Sequence, residues 1–217
     1  MPSAISRRIS NTVAYFRHDD KKTRDNRWIF LSMLIGAILS LLAAFVLSVE
    51  TVELAKNPNA QLNCSINLVI NCATVALHPT SAFWGFPNSF IGLMAEPVVI
   101  TVAIAGLAGV AFPRRFMFFA QIGYTLGFIF AAVLFYISLF VIQALCPWCM
   151  LVTLSTTFVF FSMTRYNIRE NNLYLPKKIS KALHAFIDRD FDKLLLWSLI
   201  VLAFVTILLK YGNALFA

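Results

Sequence analysis

Charged residues are scarce in this chain of 217 residues. Asp, Glu, Lys and Arg together make up only 13% of it, whereas 59% of the residues are hydrophobic. Soluble domains carry about 25% charged residues, so this composition excludes an ordinary soluble fold. Lipidation motifs, low-complexity tracts and internal repeats are also lacking. The composition therefore indicates a protein whose hydrophobic residues face lipid.

Five apolar runs are long enough to be membrane spans. They cover residues 28–49, 90–112, 116–142, 147–163 and 194–209. The first run is about 33 Å long as a helix, which is enough to cross the hydrocarbon core. The last run is short, and we expect Lys210 and Tyr211 to extend it by snorkelling at the interface. Because no other segment has the apolar content of a second core, we predict an all-α integral membrane protein.

Basic residues are concentrated in alternate connections between these runs. Seven precede the first run, Arg114 and Arg115 follow the second, and seven lie in residues 165–193. The loop 50–87 carries one basic residue, Lys56, against Glu50 and Glu53, and the turn before residue 146 carries no charge. By the positive-inside rule, the N-terminus is predicted in the cytoplasm and the C-terminus outside. The net charge of +8 is then a topology signal, and we expect no nucleic-acid partner.

The four cysteines form two pairs on the predicted outer side. Cys146 and Cys149 lie in a C-x-x-C motif where the fourth run begins, and Cys64 and Cys72 lie in the loop 50–87. Proline is favoured in the first turn of a helix, so Pro147 leaves Cys146 at the helix cap. There the helix dipole lowers the pKa of a thiol. Two such pairs favour a redox relay based on thiol–disulfide exchange.

Two other interpretations of the cysteines stay open from the residues alone. Disulfides persist outside the membrane, so Cys64 and Cys72 are also compatible with a structural bridge in their loop. Four cysteines are also compatible with a zinc site. The loop is small and apolar for a zinc module, and we predict no metal. A C-x-x-C ring is tight for a structural bridge, which favours the relay.

The order of these motifs resembles the vitamin K epoxide reductase family. The loop pair Cys64 and Cys72 comes first, then Gly85-Phe86-Pro87-Asn88, and then Cys146-Pro147-Trp148-Cys149 at the start of the fourth span. The resemblance covers residues 28–163 and is closest to bacterial members, which oxidise secreted thioredoxin-like proteins and reduce quinone. It implies a four-helix transmembrane bundle that holds the active site, with a fifth, peripheral transmembrane helix.

The resemblance implies an order of electron flow. A reduced thioredoxin-like partner attacks Cys64, the outermost cysteine, and Cys72 then passes the electrons to Cys146. Cys149 delivers them to a membrane quinone, either menaquinone or ubiquinone. In bacterial members with a fused thioredoxin-like domain, that domain follows the fifth helix. Since this sequence stops at Ala217, we expect the partner to be a separate protein.

Further residues are candidates for the quinone pocket. Asn88 matches a family asparagine that hydrogen-bonds the quinone oxygen, although a helix N-cap is an alternative role for it. Phe86 belongs to an aromatic segment expected to shield the quinone from water, and interfacial anchoring explains it equally well. Glu96 lies inside the second span, where it either protonates the quinone or reaches water at a shallow position.

Two positions depart from the family pattern. His78 occupies the place of a serine or threonine, and it is interpreted either as an alternative hydrogen-bond donor or as an ordinary exposed histidine. Thr80 and Ser81 are close enough to substitute. Thr153 stands where the vertebrate enzymes have a tyrosine near the anticoagulant site, which argues against coumarin sensitivity and epoxide reduction.

The sequence is therefore divided into four parts. Residues 1–27 form a basic cytoplasmic segment, 28–164 a catalytic domain with the outer loop 50–87, 165–193 a cytoplasmic amphipathic connector, and 194–217 the fifth span and C-terminus. The predicted protein is a thiol-disulfide oxidoreductase of the cell membrane, with its active site on the extracytoplasmic side. Two rivals are the other bacterial membrane disulfide oxidase, whose two cysteine motifs occur in the reverse order, and a non-enzymatic transporter subunit or scaffold with structural disulfides.

Overall fold

A computed structural model of the chain describes residue 15 and residues 20–62, 64–67 and 69–215, with side chains up to Gly212. Most of the predicted basic segment 1–27 lies outside these residues. The described part is built from α-helices, and its only bridge between extended segments is an isolated one. Five of its helices are long and apolar enough to cross a membrane. The predicted all-α membrane fold with five spans is therefore confirmed.

The elements follow one another in a simple order. The α-helices are α1 Lys21–Lys56, α2 Cys72–Leu77, α3 Ser89–Leu107, α4 Arg114–Ile137, α5 Pro147–Arg169, α6 Lys177–Asp188 and α7 Phe191–Leu215. A short 3-10 turn, Pro79–Ala82, precedes α3, and a π-helical turn, Ser138–Ile142, continues α4.

Helix α1 is longer than the apolar run that predicted it. It begins after Asp20, whose carboxylate accepts hydrogen bonds from two backbone N–H groups of the first turn, and it spans 36 residues. Its length is about 54 Å, whereas the hydrocarbon core is about 30 Å thick. The helix ends before Asn57-Pro58 because a proline disfavours helical geometry in the residue before it. The last two turns of α1, which include Glu50, therefore extend into the predicted outer loop.

Helix α1 lies at the centre of the bundle, where it packs against α3 and α5, while α4 packs against α5. The main apolar core joins Phe30 and Met33 of α1 to Ala103 of α3, Met117 of α4 and Val159 of α5. Glycine permits the closest approach between α1 and α5. A Cβ atom on Gly36 would lie 2.7 Å from Val159 Cγ2 and 3.3 Å from the Ser155 carbonyl oxygen. Small residues at helix contacts are typical of membrane bundles.

Replacing Gly36 with valine is expected to separate α1 from α5. Overpacking of this kind costs about 1–3 kcal/mol, which thermal unfolding in detergent would detect as a lower midpoint. Gly123→Val is the matched control, since nothing lies within 4 Å of a Cβ atom at that position. Equal midpoints for the two variants would contradict a close contact of α1 with α5 at Gly36.

Helix α7 lies at the side of the bundle, and polar contacts near both of its ends join it to the other helices. Arg165 of α5 donates to Asp192 at 2.6 Å near the start of α7. At the other end, Lys210 Nζ and the Tyr211 hydroxyl both donate to the Leu139 carbonyl oxygen, at 2.5 Å and 2.6 Å. Helix α7 continues through Lys210 and Tyr211, as expected for the short last run, and both side chains bind the protein backbone. Their snorkelling at the interface stays a prediction. Leu139 belongs to the π-helical turn, and its carbonyl oxygen has two lone pairs, so it can accept from both side chains.

The predicted amphipathic connector between the fourth and fifth spans contains a helix, α6. In α6, Ile187 is buried, whereas Ile179 and Phe186 remain exposed among lysines. An amphipathic helix with an uncovered apolar face suits a position on the membrane surface. That position stays a prediction.

Candidate redox site

The loop cysteines are joined by a disulfide between Cys64 and Cys72. Cys72 is the first residue of α2, and the Asn71 side chain caps this helix by accepting a hydrogen bond from Thr74 N–H at 3.0 Å. The Ser65 hydroxyl donates to the same Asn71 oxygen at 3.2 Å, which ties the Cys64 side of the loop to the cap. Local hydrogen bonds thus hold both ends of the disulfide.

The C-x-x-C pair begins α5 in the predicted way. Cys146 is the N-cap, Pro147 is the first helical residue, and Cys149 N–H donates to Cys146 Sγ at 3.4 Å. Both residues are free cysteines. The hydrogen bond from the Cys149 thiol, aided by backbone N–H groups of the first turn, lowers the pKa of Cys146. Cys146 is therefore the more readily ionised thiol of this pair.

A backbone bridge holds the two pairs together. Asn71 N–H donates to the Leu145 carbonyl at 3.0 Å, and Leu145 N–H donates to the Val69 carbonyl at 2.7 Å. These parallel contacts pair Ile70 with Leu145. Cys72 and Cys146 each follow closely after the bridged residues in the sequence. The bridge thereby brings the loop disulfide to the cap of α5.

The sulfur atoms lie in a small apolar cluster. Cys64, Cys72 and Cys146 are buried together with Leu54 and Leu62, and Cys149 packs against this group. Cys64 is 7% exposed, whereas Cys72 and Cys146 are each 1% exposed. A partner from solution would therefore reach Cys64 before the other two.

Glu50 also contacts this cluster, and sequence reasoning missed it. Its two carboxylate oxygens lie 3.3 Å and 3.4 Å from Cys64 Sγ. The sequence-based interpretation ended the first helix at residue 49 and counted Glu50 only as a loop charge. The signal that would have placed it was the run of helix-forming residues up to the Asn57-Pro58 stop.

The carboxylate and the two loop sulfurs lie within 4.8 Å of one another, as metal ligands do. Zinc, however, requires thiolates, and Cys64 and Cys72 are bonded to each other. The described arrangement therefore favours redox chemistry over the zinc interpretation.

The segment before the C-x-x-C is held from several sides. The Ser138 hydroxyl donates to the Ala144 carbonyl at 2.6 Å, and Gln143 has a left-handed φ of 58°. Val69, Leu139 and Leu145 pack with Ile207 and Tyr211 of α7 in one buried cluster. Helix α7 thus supports the bridge between the cysteine pairs, a contact that no sequence pattern indicated.

Asn88 has a different local role from the predicted helix cap. It occupies the N-cap position of α3, but its side chain makes no capping hydrogen bond. Its Nδ2 donates to the Thr80 carbonyl at 2.7 Å, and its Oδ1 accepts from Phe83 N–H at 3.2 Å. Asn88 is therefore the N-cap residue by position, as the alternative predicted, but its side chain stabilises the turn before α3 and does not cap the helix. An amide nitrogen carries two hydrogens, and the bond to Thr80 uses one of them.

His78 lies in the same hydrogen-bonded turn. Its Nδ1 accepts from Thr80 N–H at 3.3 Å and lies 2.8 Å from the Thr80 hydroxyl oxygen. His78 thereby caps the 3-10 turn Pro79–Ala82. Because the Thr80 carbonyl in turn accepts from Asn88, His78 and Asn88 belong to one polar chain.

The aromatic segment before α3 covers one side of α4. Trp84 and Phe83 lie against Phe130, with ring centroids 4.8 Å and 6.3 Å away. Phe86 is 38% exposed, and Gly85 makes the turn between them with a φ of 80°. The segment lies at the same end of the bundle as the cysteines, where an aromatic segment that shields a quinone from water is expected.

Glu96 is buried inside the bundle and is only 4% exposed. Its Oε1 accepts from the Ser40 hydroxyl of α1 at 2.8 Å and from the Tyr124 hydroxyl of α4 at 3.4 Å. The alternative of a shallow residue in contact with water is therefore wrong. Its Oε2 has no hydrogen-bond partner among the described residues, which leaves one buried polar atom open to a ligand or a proton.

The structure thus brings the four predicted cysteines together and links His78 to Asn88, whereas Glu96 lies deeper. Asn88 and Glu96 are separated by about 12 Å along α3 at the usual helical rise. The residues predicted for the quinone pocket therefore lie at different depths along the bundle.

Comparison with known proteins agrees with this geometry. The sequence model of the vitamin K epoxide reductase family matches residues 31–164, which contain both cysteine pairs, α3 and α4, and most of α1 and α5. Comparison with curated proteins gives no match. With more than half of the chain matched, and with a loop disulfide beside a free C-x-x-C, the chain belongs to the vitamin K epoxide reductase family and is a membrane thiol-disulfide oxidoreductase.

Proposed function

We propose that this protein oxidises exported thioredoxin-like proteins and passes the electrons through its two cysteine pairs to a membrane quinone. The loop pair receives electrons from the partner, and the C-x-x-C pair delivers them to the quinone. The net result is a disulfide in the partner, which supports disulfide formation in exported proteins.

The bridge between residues 69–71 and Leu145 is the observation that carries this proposal. Thiol–disulfide exchange requires a thiolate close to the sulfur that it attacks. A purely structural loop disulfide would not need to lie beside a free dithiol. A Cys64–Cys72 disulfide beside free Cys146 and Cys149 provides both partners that such an exchange needs.

The internal transfer takes place in two exchanges. The Cys72 thiolate attacks Cys146 in an oxidised C-x-x-C pair, which forms a Cys72–Cys146 disulfide and releases the Cys149 thiolate. Cys64 then attacks Cys72, which forms the loop disulfide and releases the Cys146 thiolate. Two electrons have moved, and the C-x-x-C pair is left reduced. The lowered pKa of Cys146 makes it a good leaving group in the second exchange.

The residues predicted for the quinone pocket have the chemistry that a quinone needs. The second amide hydrogen of Asn88 is a suitable donor to a ring oxygen next to Cys149, and Phe86 belongs to the cover that excludes water. Glu96, with its unpartnered Oε2, would hold a proton deeper in the bundle. His78 positions Asn88 through Thr80. A quinone supplies an acceptor for two electrons and two protons.

The basic connections support the orientation of the active site. Arg114, Arg165 and Lys193 lie at the end of the bundle opposite the cysteines, where Arg165 and Lys193 pair with Asp190. By the positive-inside rule this end is cytoplasmic and the cysteine end faces outward in the cell membrane. The partner would then be an exported protein that approaches Cys64.

A coupled assay tests the proposal. Purified protein would be mixed with a reduced thioredoxin-like donor and either menaquinone or ubiquinone, and quinol formation would be followed by absorbance. We expect one quinol for each donor disulfide formed, and no quinol from the Cys149→Ala variant. A non-enzymatic scaffold would give no turnover, and the loss of Cys149 would lower its stability instead.

Replacing Asn88 with alanine is expected to raise the KM for quinone about 10-fold, as the loss of one hydrogen bond would. The rate at which the donor reduces the loop disulfide should stay unchanged, because that step does not involve quinone. Asn59→Ala, in the exposed part of the loop, is the control. An unchanged KM for quinone in Asn88→Ala would remove Asn88 from the pocket.

A further inference from the structure

Glu50 lies beside the loop disulfide, although the sequence predicted it to belong to a surface loop. It lies in the C-terminal part of α1, past the apolar run, and its carboxylate oxygens are 3.3 Å and 3.4 Å from Cys64 Sγ. The residue is half-buried, and no basic side chain in the described part of the chain forms an ion pair with it. A carboxylate without a cation beside a sulfur atom is available to accept a proton.

The proton it would accept belongs to the reduced form of the loop pair. In the disulfide, Cys64 Sγ carries no hydrogen. After reduction, Cys64 is a thiol whose S–H group faces the carboxylate at hydrogen-bond distance. The thiolate is the attacking form in thiol–disulfide exchange. A negative carboxylate does not stabilise a neighbouring thiolate by charge, so its useful contribution is to take the proton as the sulfur attacks.

We propose that Glu50 is the general base for Cys64 in the exchange that resolves the internal mixed disulfide. This inference rests on the proposed function. The Cys64 thiol gives its proton to the Glu50 carboxylate, and its sulfur attacks Cys72 in the Cys72–Cys146 disulfide. The Cys64–Cys72 bond forms, the Cys72–Cys146 bond breaks, and the electron pair of the broken bond leaves on Cys146 as a thiolate. The proton then passes from Glu50 to water at the rim.

The charged and titratable groups around Glu50 suit this step. Glu53 follows one turn later on α1, Cys64 faces Glu50 from the loop, and Cys146 and Cys149 interact with its charge from the start of α5. The Cys149 hydrogen bond has the larger effect on the pKa of Cys146, and the Glu50 charge opposes it. Once Glu50 is protonated, that opposition disappears. The same proton transfer therefore activates Cys64 and makes Cys146 a better leaving group.

The experiment needs neither quinone nor partner protein. Protein with an oxidised Cys146–Cys149 pair and a loop pair reduced by dithiothreitol would be quenched with acid at set times. Mass spectrometry of alkylated peptides would then follow the Cys72–Cys146 disulfide. In Glu50→Gln we expect this disulfide to accumulate and to resolve about 100-fold more slowly than in wild type. The rate in the variant should rise about tenfold per pH unit, because the thiol must ionise unaided.

Two further variants separate a proton-transfer role from a structural one. Glu53→Gln changes an exposed carboxylate on the same helix and should behave as wild type. Glu50→Asp keeps the carboxylate on a shorter side chain and should show an intermediate rate with the wild-type pH profile. It also serves as the test if Glu50→Gln does not fold.

The outcomes distinguish the two proposals. If Glu50→Gln kept the wild-type rate and pH profile, only the role of Glu50 would be overturned. The same holds if the rate in Glu50→Asp rose with pH as steeply as the rate in Glu50→Gln. Failure of the wild-type protein to move electrons from the loop pair to the C-x-x-C pair would overturn the proposed function itself.

Discussion

Replacing Cys146 with alanine is expected to abolish quinol formation while the loop disulfide still exchanges with its partner. Cys146 is the sulfur of α5 that the backbone bridge places beside the loop pair, and it is 1% exposed. Without it, electrons accepted at Cys64 have no route to Cys149. The measurement is the paired assay of donor oxidation and quinol formation, in which the variant should complete at most one donor oxidation and form no quinol.

The Cys146→Ser variant keeps the size of the side chain and should show the same loss. Thermal unfolding should show that both variants remain folded, because Cys146 is a free thiol and its loss breaks no disulfide. Continued quinol formation by either variant would mean that Cys149 receives electrons from the loop pair directly. The proposed order of the cysteines would then be wrong.

Replacing Lys210 with methionine and Tyr211 with phenylalanine is expected to slow transfer between the cysteine pairs on the order of 100-fold, a typical result of displacing reacting groups by about 1 Å. Both side chains donate to the Leu139 carbonyl in the turn before the C-x-x-C. Without these donors the turn loses its support, and the bridge at Leu145 loses its fixed position. The measurement is the rate of loop-pair oxidation in single turnover.

Leu209→Ala is the control for this double variant, because Leu209 is adjacent but 84% exposed. Lys210→Arg in an otherwise unchanged chain should keep most of the rate, since a guanidinium also donates to the carbonyl. If the double variant unfolded at a lower temperature but transferred electrons at the wild-type rate, α7 would serve stability only.

Much of the fold follows from hydropathy. Apolar runs predicted the five spans because only a helix satisfies its own backbone groups in lipid. The ends of the helices were less predictable. Helix α1 extends to Lys56 through a mixed polar and apolar segment, and α4 changes to a π-helical turn at Ser138. In both places local backbone geometry, rather than contact with lipid, decides where the element ends.

The candidate site was predictable in its residues but not in its contacts. Spacing and proline placement identified the C-x-x-C and put Cys146 at the cap of α5. The bridge between Ile70 and Leu145, by contrast, joins segments distant in sequence, and no local pattern encodes its register. The positions of Glu50 beside Cys64 and of Lys210 beside Leu139 depend on that same packing. The burial of Glu96 was unpredictable from the sequence for the same reason, since its partners Ser40 and Tyr124 lie on other helices.

The most direct test of the account is to trap the contact between the two pairs. In the variant Cys64→Ala/Cys149→Ala only Cys72 and Cys146 remain, and a mild oxidant should join them in a disulfide that peptide mass spectrometry identifies. The matched variant Cys64→Ala/Cys146→Ala, which retains Cys72 and Cys149, should cross-link far more slowly. Efficient formation of the Cys72–Cys146 disulfide is the predicted result. Two cysteines that stay unlinked and open to alkylation in the first variant would contradict a relay between the pairs.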